Sequence, residues 1–362
     1  MTFFLEYLLI NNFIYSLLFL TCTLSLFVFV PFKNKYFFKE RRQIQNIHGN
    51  KMIPRVGGII VIFSTVIHYI FFMDHSDLYA LIFLTSIPII TIGFVEDAIG
   101  STKPIYRLLA IIISSFSFFY LTTQELPYVD IPFLGNIIHF NSFTAILFFV
   151  LALSAYTNGV NMIDGTNGLA AASIISSLAS VAFISYMVND FEIMYLTMFF
   201  SIFLIPFLLF NYPWGKIFLG DAGAYFYGWI TGLTVIIFFG RHDDVPTWGA
   251  ALILFYPSFE IIFSFIRKKI ASKSPFEPDA NHLHMKVYYV FKAATQRQLR
   301  SNGLVTPFLS ALWLIPPMII PWVFLDSILI IICIISLVII YLSFYFALPN
   351  HSKIKGQNDL YL

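Results

Sequence analysis

Residues 327–347 read SILIIICIISLVIIYLSFYFA, a run of 21 residues with no Asp, Glu, Lys, Arg or His. A helix of that length is about 30 Å long, the thickness of the hydrocarbon of a bilayer. Apolar runs near this length recur from end to end of the 362-residue chain. Hydrophobic residues make up 59% of it and charged residues 11%, where a soluble domain carries about 25% charged residues. So few charges cannot cover a globular surface. That excludes a water-soluble fold, a disordered chain and a nucleic-acid binder. The runs are continuous and do not alternate, which excludes a porin-type barrel. The fold class is an all-α polytopic membrane protein with one integral-membrane domain over 1–362. Cys22 and Cys333 lie inside apolar runs and read as packing residues.

Working outward, the pattern predicts eleven helices, at 7–31, 56–73, 78–95, 108–123, 143–160, 169–188, 193–210, 223–240, 247–266, 305–324 and 327–347. The first lacks a basic leader and a small-residue cleavage site, so it reads as a retained helix. With the N-terminus outside and the C-terminus inside, 20 of the 21 Lys and Arg residues fall on the inner side, and only Arg241 falls outside. The inner loops are then about 32–55, 96–107, 158–168, 211–222 and 267–304. The longest outer connection, 124–142, reads as a small β-hairpin near 128–140 with Gly135 at the bend. No internal repeat is evident.

Charged groups near a bilayer are costly, roughly 2.5–3.5 kcal/mol for an Asp at mid-span, so their placement is informative. Five polar segments fall at the inner ends of helices. The first carries Lys51 and Arg55 before the pair Gly57-Gly58. It suits close approach to a phosphate, or else a basic loop ahead of a glycine pair that packs helices. The second is Glu96-Asp97, which could hold Mg²⁺ or meet an incoming phosphate, or could be a solvated helix end. The third, NGVNMIDGTNGLA from Asn158, places Asn161, Asp164, Gly165, Thr166 and Asn167 in a tight turn. Free backbone N–H groups there suit an anion or a base edge.

The fourth segment runs from Asn211 through Phe218 to Asp221, which is flanked by glycines. Asp221 is either a Mg²⁺ ligand or the N-cap of a helix beginning near 223. The fifth holds Arg267 and then PDANHLH, with Asp279, His282 and His284. It lacks the Cys partners or HExxH spacing of a zinc site. Phosphate binding by His and Arg fits it better, with contact to anionic lipid as the bland alternative. Glu260, inside the ninth predicted helix, is as readily structural as functional.

These five segments, in this order, resemble the polyprenyl-phosphate N-acetylhexosamine-1-phosphate transferase family. Its bacterial members start O-antigen, enterobacterial common antigen and teichoic-acid linkage synthesis, and it includes the lipid I synthase and the dolichyl-phosphate enzyme. NGVNMIDGTNGLA, FLGDAGAYFYG and PDANHLH are the most specific pieces. The resemblance implies transfer of a sugar-1-phosphate, N-acetylglucosamine-1-phosphate first among the candidates, from a UDP-N-acetylhexosamine to undecaprenyl phosphate. UMP would leave, at the inner face of the bacterial cytoplasmic membrane, and cell-envelope polysaccharide synthesis would begin. It implies Mg²⁺ as cofactor, with Mn²⁺ as an alternative, and a homodimer.

By position, Asp221 would be the metal ligand, and Asp97 and Glu96 would face the lipid phosphate. Asp164, Gly165, Thr166, Asn167 and Phe218 would contact the uridine, and Asn211 the diphosphate region. His282, His284 and Arg267 would hold the sugar-phosphate end. Two departures stand out: the family's Asp-Asp pair is Glu96-Asp97 here, and its third histidine is Met285. Direct attack by the lipid phosphate and a two-step route through an aspartyl-phosphate both remain open. The competing class is a transporter or flippase of an amphipathic solute. It calls for charge at mid-span and internal pseudo-symmetry, neither of which the sequence has.

Overall fold

The protein is described from a computed structural model, which covers residues 13–25, 53–72, 77–100, 102–131, 134–272, 274 and 281–349. Lys51 and Asp279 lie outside the described residues. In chain order the helices are α1 (Phe13–Ser25), α2 (Gly57–Phe72), α3 (Asp77–Ile99), α4 (Pro104–Leu121), α5 (Leu134–Ile138), α6 (Ser142–Ile163), α7 (Leu169–Met187) and α8 (Phe191–Asn211). They continue with α9 (Gly220–Arg241), α10 (Trp248–Ile253), α11 (Phe255–Ile270), α12 (Leu283–Thr295), α13 (Gln298–Phe308), α14 (Ser310–Trp313), α15 (Ile315–Val323) and α16 (Ser327–Ala347).

Seven of these, α3, α4, α6, α7, α8, α9 and α16, are long and apolar enough to cross a membrane. The bent pair formed by α13 and α14–α15, at 45° to one another, would make an eighth. The chain is thus a multi-pass membrane protein. Eleven unbroken spans were expected, and two of them are interrupted by proline. Pro257 cannot donate to the Ile253 carbonyl, nor Pro317 to that of Trp313. Ser177 Oγ donates to the first at 2.9 Å, and Ser176 Oγ donates to the second. A neighbouring helix, α7, thereby repays what each break loses.

The outer hairpin is a second correction. Among the described residues there is no β-strand, and Leu134–Ile138 is a helical turn. His139 Nε2 accepts the Val129 N–H at 2.9 Å, and the capping box of Asn141 and Thr144 then starts α6. Gly135 is needed for contact rather than for a bend, because a Cβ there would meet the Val129 carbonyl at 2.4 Å.

Helix α9 is apolar on every side, which marks a helix with no lipid or water face. Its spanning window is wholly buried in the bundle, against 17% for α16. Helices α2, α3, α6, α7 and α8 pack around it. Glycines bring backbones together at its first turn. A Cβ on Gly58 would sit 2.3 Å from Gly223 Cα, and one on Gly93 would sit 2.4 Å from Ala222 Cα. Gly93→Ala should gain about 1 kcal/mol of helix propensity. Overpacking against fixed backbone should cost more, about 1–3 kcal/mol. A lower melting temperature in detergent is therefore expected, and a higher one would show that this contact does not set the spacing of α3 and α9.

Candidate active site

The ends of α2, α3, α4, α6 and α9 meet at one end of the bundle. Helix α9 starts there with no side-chain cap of its own. Asp97, on the last turn of α3, supplies one. Its Oδ1 accepts Asp221 N at 2.9 Å and its Oδ2 accepts Ala222 N at 3.0 Å. Gly220 makes this approach feasible, with φ +74°, and a Cβ there would be 2.5 Å from Asp97 Oδ2. Asp221 is therefore not the cap foreseen as one reading. It lies within the first turn of α9, and its carboxylate is held on both oxygens. Arg55 Nη2 donates to Oδ1 at 2.6 Å and Arg107 Nη1 to Oδ2 at 3.0 Å. Arg55 Nε also stands 3.3 Å from Asp97 Oδ1. Burial works against the Arg55 charge, but Asp221, Asp97 and Asp164 around it more than offset that and hold its pKa up.

The segment expected to contact the uridine divides into two parts. Asn161 Nδ2 donates to Tyr225 OH at 3.0 Å. Asp164 ends α6, and burial pushes its carboxyl well above the usual carboxylate range, against the pull of Arg55. Thr166 Oγ1 is buried without a hydrogen-bond partner among the described residues. Gly165 and the half-buried Phe218 lie on the loops beside them. The other amides support the loops. Asn158 Nδ2 bonds back to Ser154 O, Asn167 Nδ2 to Pro213 O, and Asn211 joins Gly168 N to Ile217 O.

The Gly57-Gly58 pair is likewise structural. Its N–H groups donate to the Phe218 and Leu219 carbonyls at 2.9 Å each, so they are not spare for a phosphate. Glu96 parts company with Asp97. Its Oε2 accepts Thr102 N at 2.8 Å and Thr102 Oγ1 at 2.5 Å, fixing the turn into α4.

A second cluster forms where α11, α12 and α16 meet. Gly159 lets α11 close onto α6, since a Cβ there would be 2.4 Å from the Pro257 carbonyl. One turn on, buried Glu260 takes His282 Nδ1 at 3.1 Å, Leu283 N at 3.3 Å and Tyr341 OH at 2.8 Å. The His282 and His284 rings are parallel, 5.7 Å apart. Arg267, at the end of α11, donates to Ser264 Oγ at 3.3 Å. Burial pushes the His284 imidazole down to about 3, and among the described residues its Nδ1 has no hydrogen-bond partner. With that shift the imidazole is neutral at pH 7, which suits a hydrogen-bonding group. Among the described residues no hydrogen bond or ion pair joins this cluster to Asp221.

Arg107, Tyr225, Glu260, Asn302 and Thr306 are the residues that sequence reasoning missed or left undecided. Arg107 had counted only toward orientation. Tyr225, four residues after Asp221 on one helix face, was the readable signal. Asn302 Oδ1 accepts Asn167 N and Thr306 Oγ1 donates to Asn167 O, both at 2.7 Å. Nothing local to Asn302 or Thr306 announces that.

Two outcomes follow from this geometry. Asp97→Asn sets an amide NH₂ against a helix N–H and should lower stability by about 1–3 kcal/mol, whereas Glu96→Gln should change the melting temperature little. Equal melting temperatures for both would refute the cap. The lowered His284 pKa means that the unfolded chain binds the extra proton first. Stability should therefore fall as pH drops from about 6.5 toward 3, and His284→Gln should flatten that fall in a pH series of melting curves.

The sequence matches known proteins across much of its length. The profile of glycosyl transferase family 4 matches residues 79–267, just over half of the chain. An undecaprenyl-phosphate alpha-N-acetylglucosaminyl 1-phosphate transferase of Thermotoga maritima is 30% identical over 267 residues, covering 74% of this chain and 76% of that one. A probable undecaprenyl-phosphate N-acetylglucosaminyl 1-phosphate transferase of Bacillus subtilis is 27% identical, over 66% of each. A phospho-N-acetylmuramoyl-pentapeptide-transferase of Staphylococcus epidermidis is 27% identical over 76% of this chain and 90% of its own length. With the motifs, the buried acid–arginine cluster and these matches in agreement, the chain belongs to glycosyl transferase family 4, alongside the polyprenyl-phosphate N-acetylhexosamine-1-phosphate transferases.

Proposed function

We propose that this protein transfers N-acetylglucosamine-1-phosphate from UDP-N-acetylglucosamine to undecaprenyl phosphate, at the cytoplasmic face of a bacterial inner membrane. UMP is released, and a cell-envelope polysaccharide is begun on the lipid diphosphate. The observation that carries this reading is Asp221, clasped by Arg55 and Arg107 beside the Asp97-capped start of α9. Two guanidinium groups at one end of the bundle suit anionic phosphates. The bias of Lys and Arg toward one set of loops supports a cytoplasmic side for that end.

The charges in the cluster bear on the metal. Two arginines and two aspartates cancel, so the phosphates of both substrates arrive without net compensation. Mg²⁺ usually takes one or two carboxylates and completes its shell with phosphate oxygens and water. Asp221 is the candidate protein ligand: its oxygens are held by mobile arginine side chains that phosphate can draw away, whereas those of Asp97 are fixed on the backbone N–H groups that start α9. When bound, the cation would neutralise phosphate charge and polarise the phosphoryl group.

The chain's own residues then do the following. Arg55 and Arg107 bind and orient phosphate oxygens. Asn161, Asp164 and Thr166 line the nucleotide side with Phe218. The Glu260-held His282 and neutral His284 offer ring nitrogens to the sugar-phosphate. An oxygen of the lipid phosphate attacks the sugar-bearing phosphorus. The bond from that phosphorus to the bridging oxygen breaks, and its electron pair leaves with UMP. A phosphate monoester has its second pKa near 6, so at neutral pH the nucleophile is largely deprotonated and needs no strong base. An apolar cavity of about 480 Å³ between α6, α9, α11 and α16, lined among others by Phe148, Leu153, Ile236, Phe255 and Val338, suits a hydrocarbon chain.

Purified protein with Mg²⁺, undecaprenyl phosphate and a panel of UDP-sugars should release UMP, fastest with UDP-N-acetylglucosamine. EDTA should stop release reversibly, and Asp221→Asn should slow it by at least about a hundred-fold. No UMP from any donor would sink the transferase reading, and turnover in EDTA would remove the metal from it.

A further inference from the structure

Tyr225 stands one turn beyond Asp221 on α9, on the same face. Its side chain is buried, 2% exposed. The phenol oxygen accepts Asn161 Nδ2 at 3.0 Å. The Arg107 guanidinium, which holds Asp221 Oδ2, lies beside the same oxygen and interacts with it. Asn161 and Arg107 come from α6 and α4, so three helices meet at one hydroxyl. The Asn161 NH₂ and a guanidinium can only donate. The amide, at 3.0 Å, therefore uses the oxygen as acceptor, and the hydroxyl hydrogen is left over. Among the described residues no acceptor takes it. Arg107 Nε is likewise buried without a hydrogen-bond partner among the described residues.

A buried donor with nothing to donate to costs about 1–3 kcal/mol, and native proteins meet such groups with a ligand or an ordered water. Here the unspent donors lie beside a carboxylate already engaged on both oxygens. A group that fits between them must be small, anionic and rich in acceptors. A phosphoryl group is all three. Asn161 belongs to the nucleotide side and Asp221 to the metal side, so a donor between the two meets the diphosphate where it passes from one to the other.

We propose that the Tyr225 hydroxyl donates its hydrogen to a non-bridging oxygen of the sugar-bearing phosphate of the UDP-sugar, with Arg107 on the same phosphate. The inference rests on the transferase reading above. Charge in the transition state spreads over the three equatorial oxygens of the transferring phosphoryl group. A donor aimed there acts on the rate and not merely on binding.

Tyr225→Phe keeps the ring and removes only the hydroxyl. Steady-state kinetics with both substrates varied should show kcat/KM for the UDP-sugar falling about 10- to 100-fold. The KM for undecaprenyl phosphate and the calorimetric affinity for uridine should stay within about two-fold. A second readout uses a UDP-sugar whose non-bridging oxygen on the sugar-bearing phosphate is replaced by sulfur, a weak acceptor. It should slow the wild type more than Tyr225→Phe. Unchanged kcat/KM in the variant overturns the proposal, and so does equal slowing of both enzymes by sulfur. So does a rate loss matched by lost uridine affinity, the mark of a merely structural residue. No sulfur effect in the wild type overturns it without reference to any variant. An inactive wild type, by contrast, counts against the transferase reading itself.

Discussion

The first amide N–H groups of α9 are buried and cannot turn to water. Left unpaired in such surroundings they would cost several kcal/mol. Asp97 accepts two of them from another helix, and in doing so ties α3 to α9 across 124 residues of sequence. Much of this end of the bundle follows from that contact. Gly220 must be glycine, because a side chain would strike Asp97. Gly58 and Gly93 must be small, because α2 and α3 close onto the first turn of α9. Arg55 is drawn to the capping carboxylate and reaches Asp221 from it. An answer to the problem of ending a buried helix thus assembles a charged site.

That site is balanced when it stands alone. Breaking one partner of a buried ion pair strands the other, typically at 3–5 kcal/mol, so each of Arg55, Arg107, Asp97 and Asp221 depends on the others. Arg suits both states of such a site, because its planar fork matches carboxylate and phosphate geometry equally. Phosphate can therefore take over donors that the carboxylates hold, without a large rearrangement of the bundle. Burial raises the Asp164 carboxyl well above the usual carboxylate range, against the pull of Arg55.

The segment beyond the family-matched region is built into the same architecture. Asn302 and Thr306 of α13 grip the N–H and the C=O of Asn167, and Glu260 orients His282 at the start of α12. Helix α7 contributes at mid-span, where Ser176 and Ser177 satisfy carbonyls that prolines in two other helices cannot. At these places polar side chains are spent on backbone groups that the chain's own irregularities expose.

The membrane class, the positions of most spanning helices and the polar segments that gather at one end were legible in the sequence. Hydrophobic burial acts on each residue locally, and its pattern is written along the chain. Partners were not legible. Nothing around Asp97 says that it caps a helix starting at residue 220, or around Arg107 that it meets Asp221. Nothing local says that the Gly57-Gly58 amides go to Phe218 and Leu219, or that Asn158 folds back on its own helix. The hairpin near 128–140 gave way to a helical turn because a capping box at Asn141 and a packed Gly135 outweighed strand propensity. A residue's type limits which bonds it can make. Which bond it does make is set by what the packed helices bring within reach, for Asp97 and Asp221 across 124 residues of sequence.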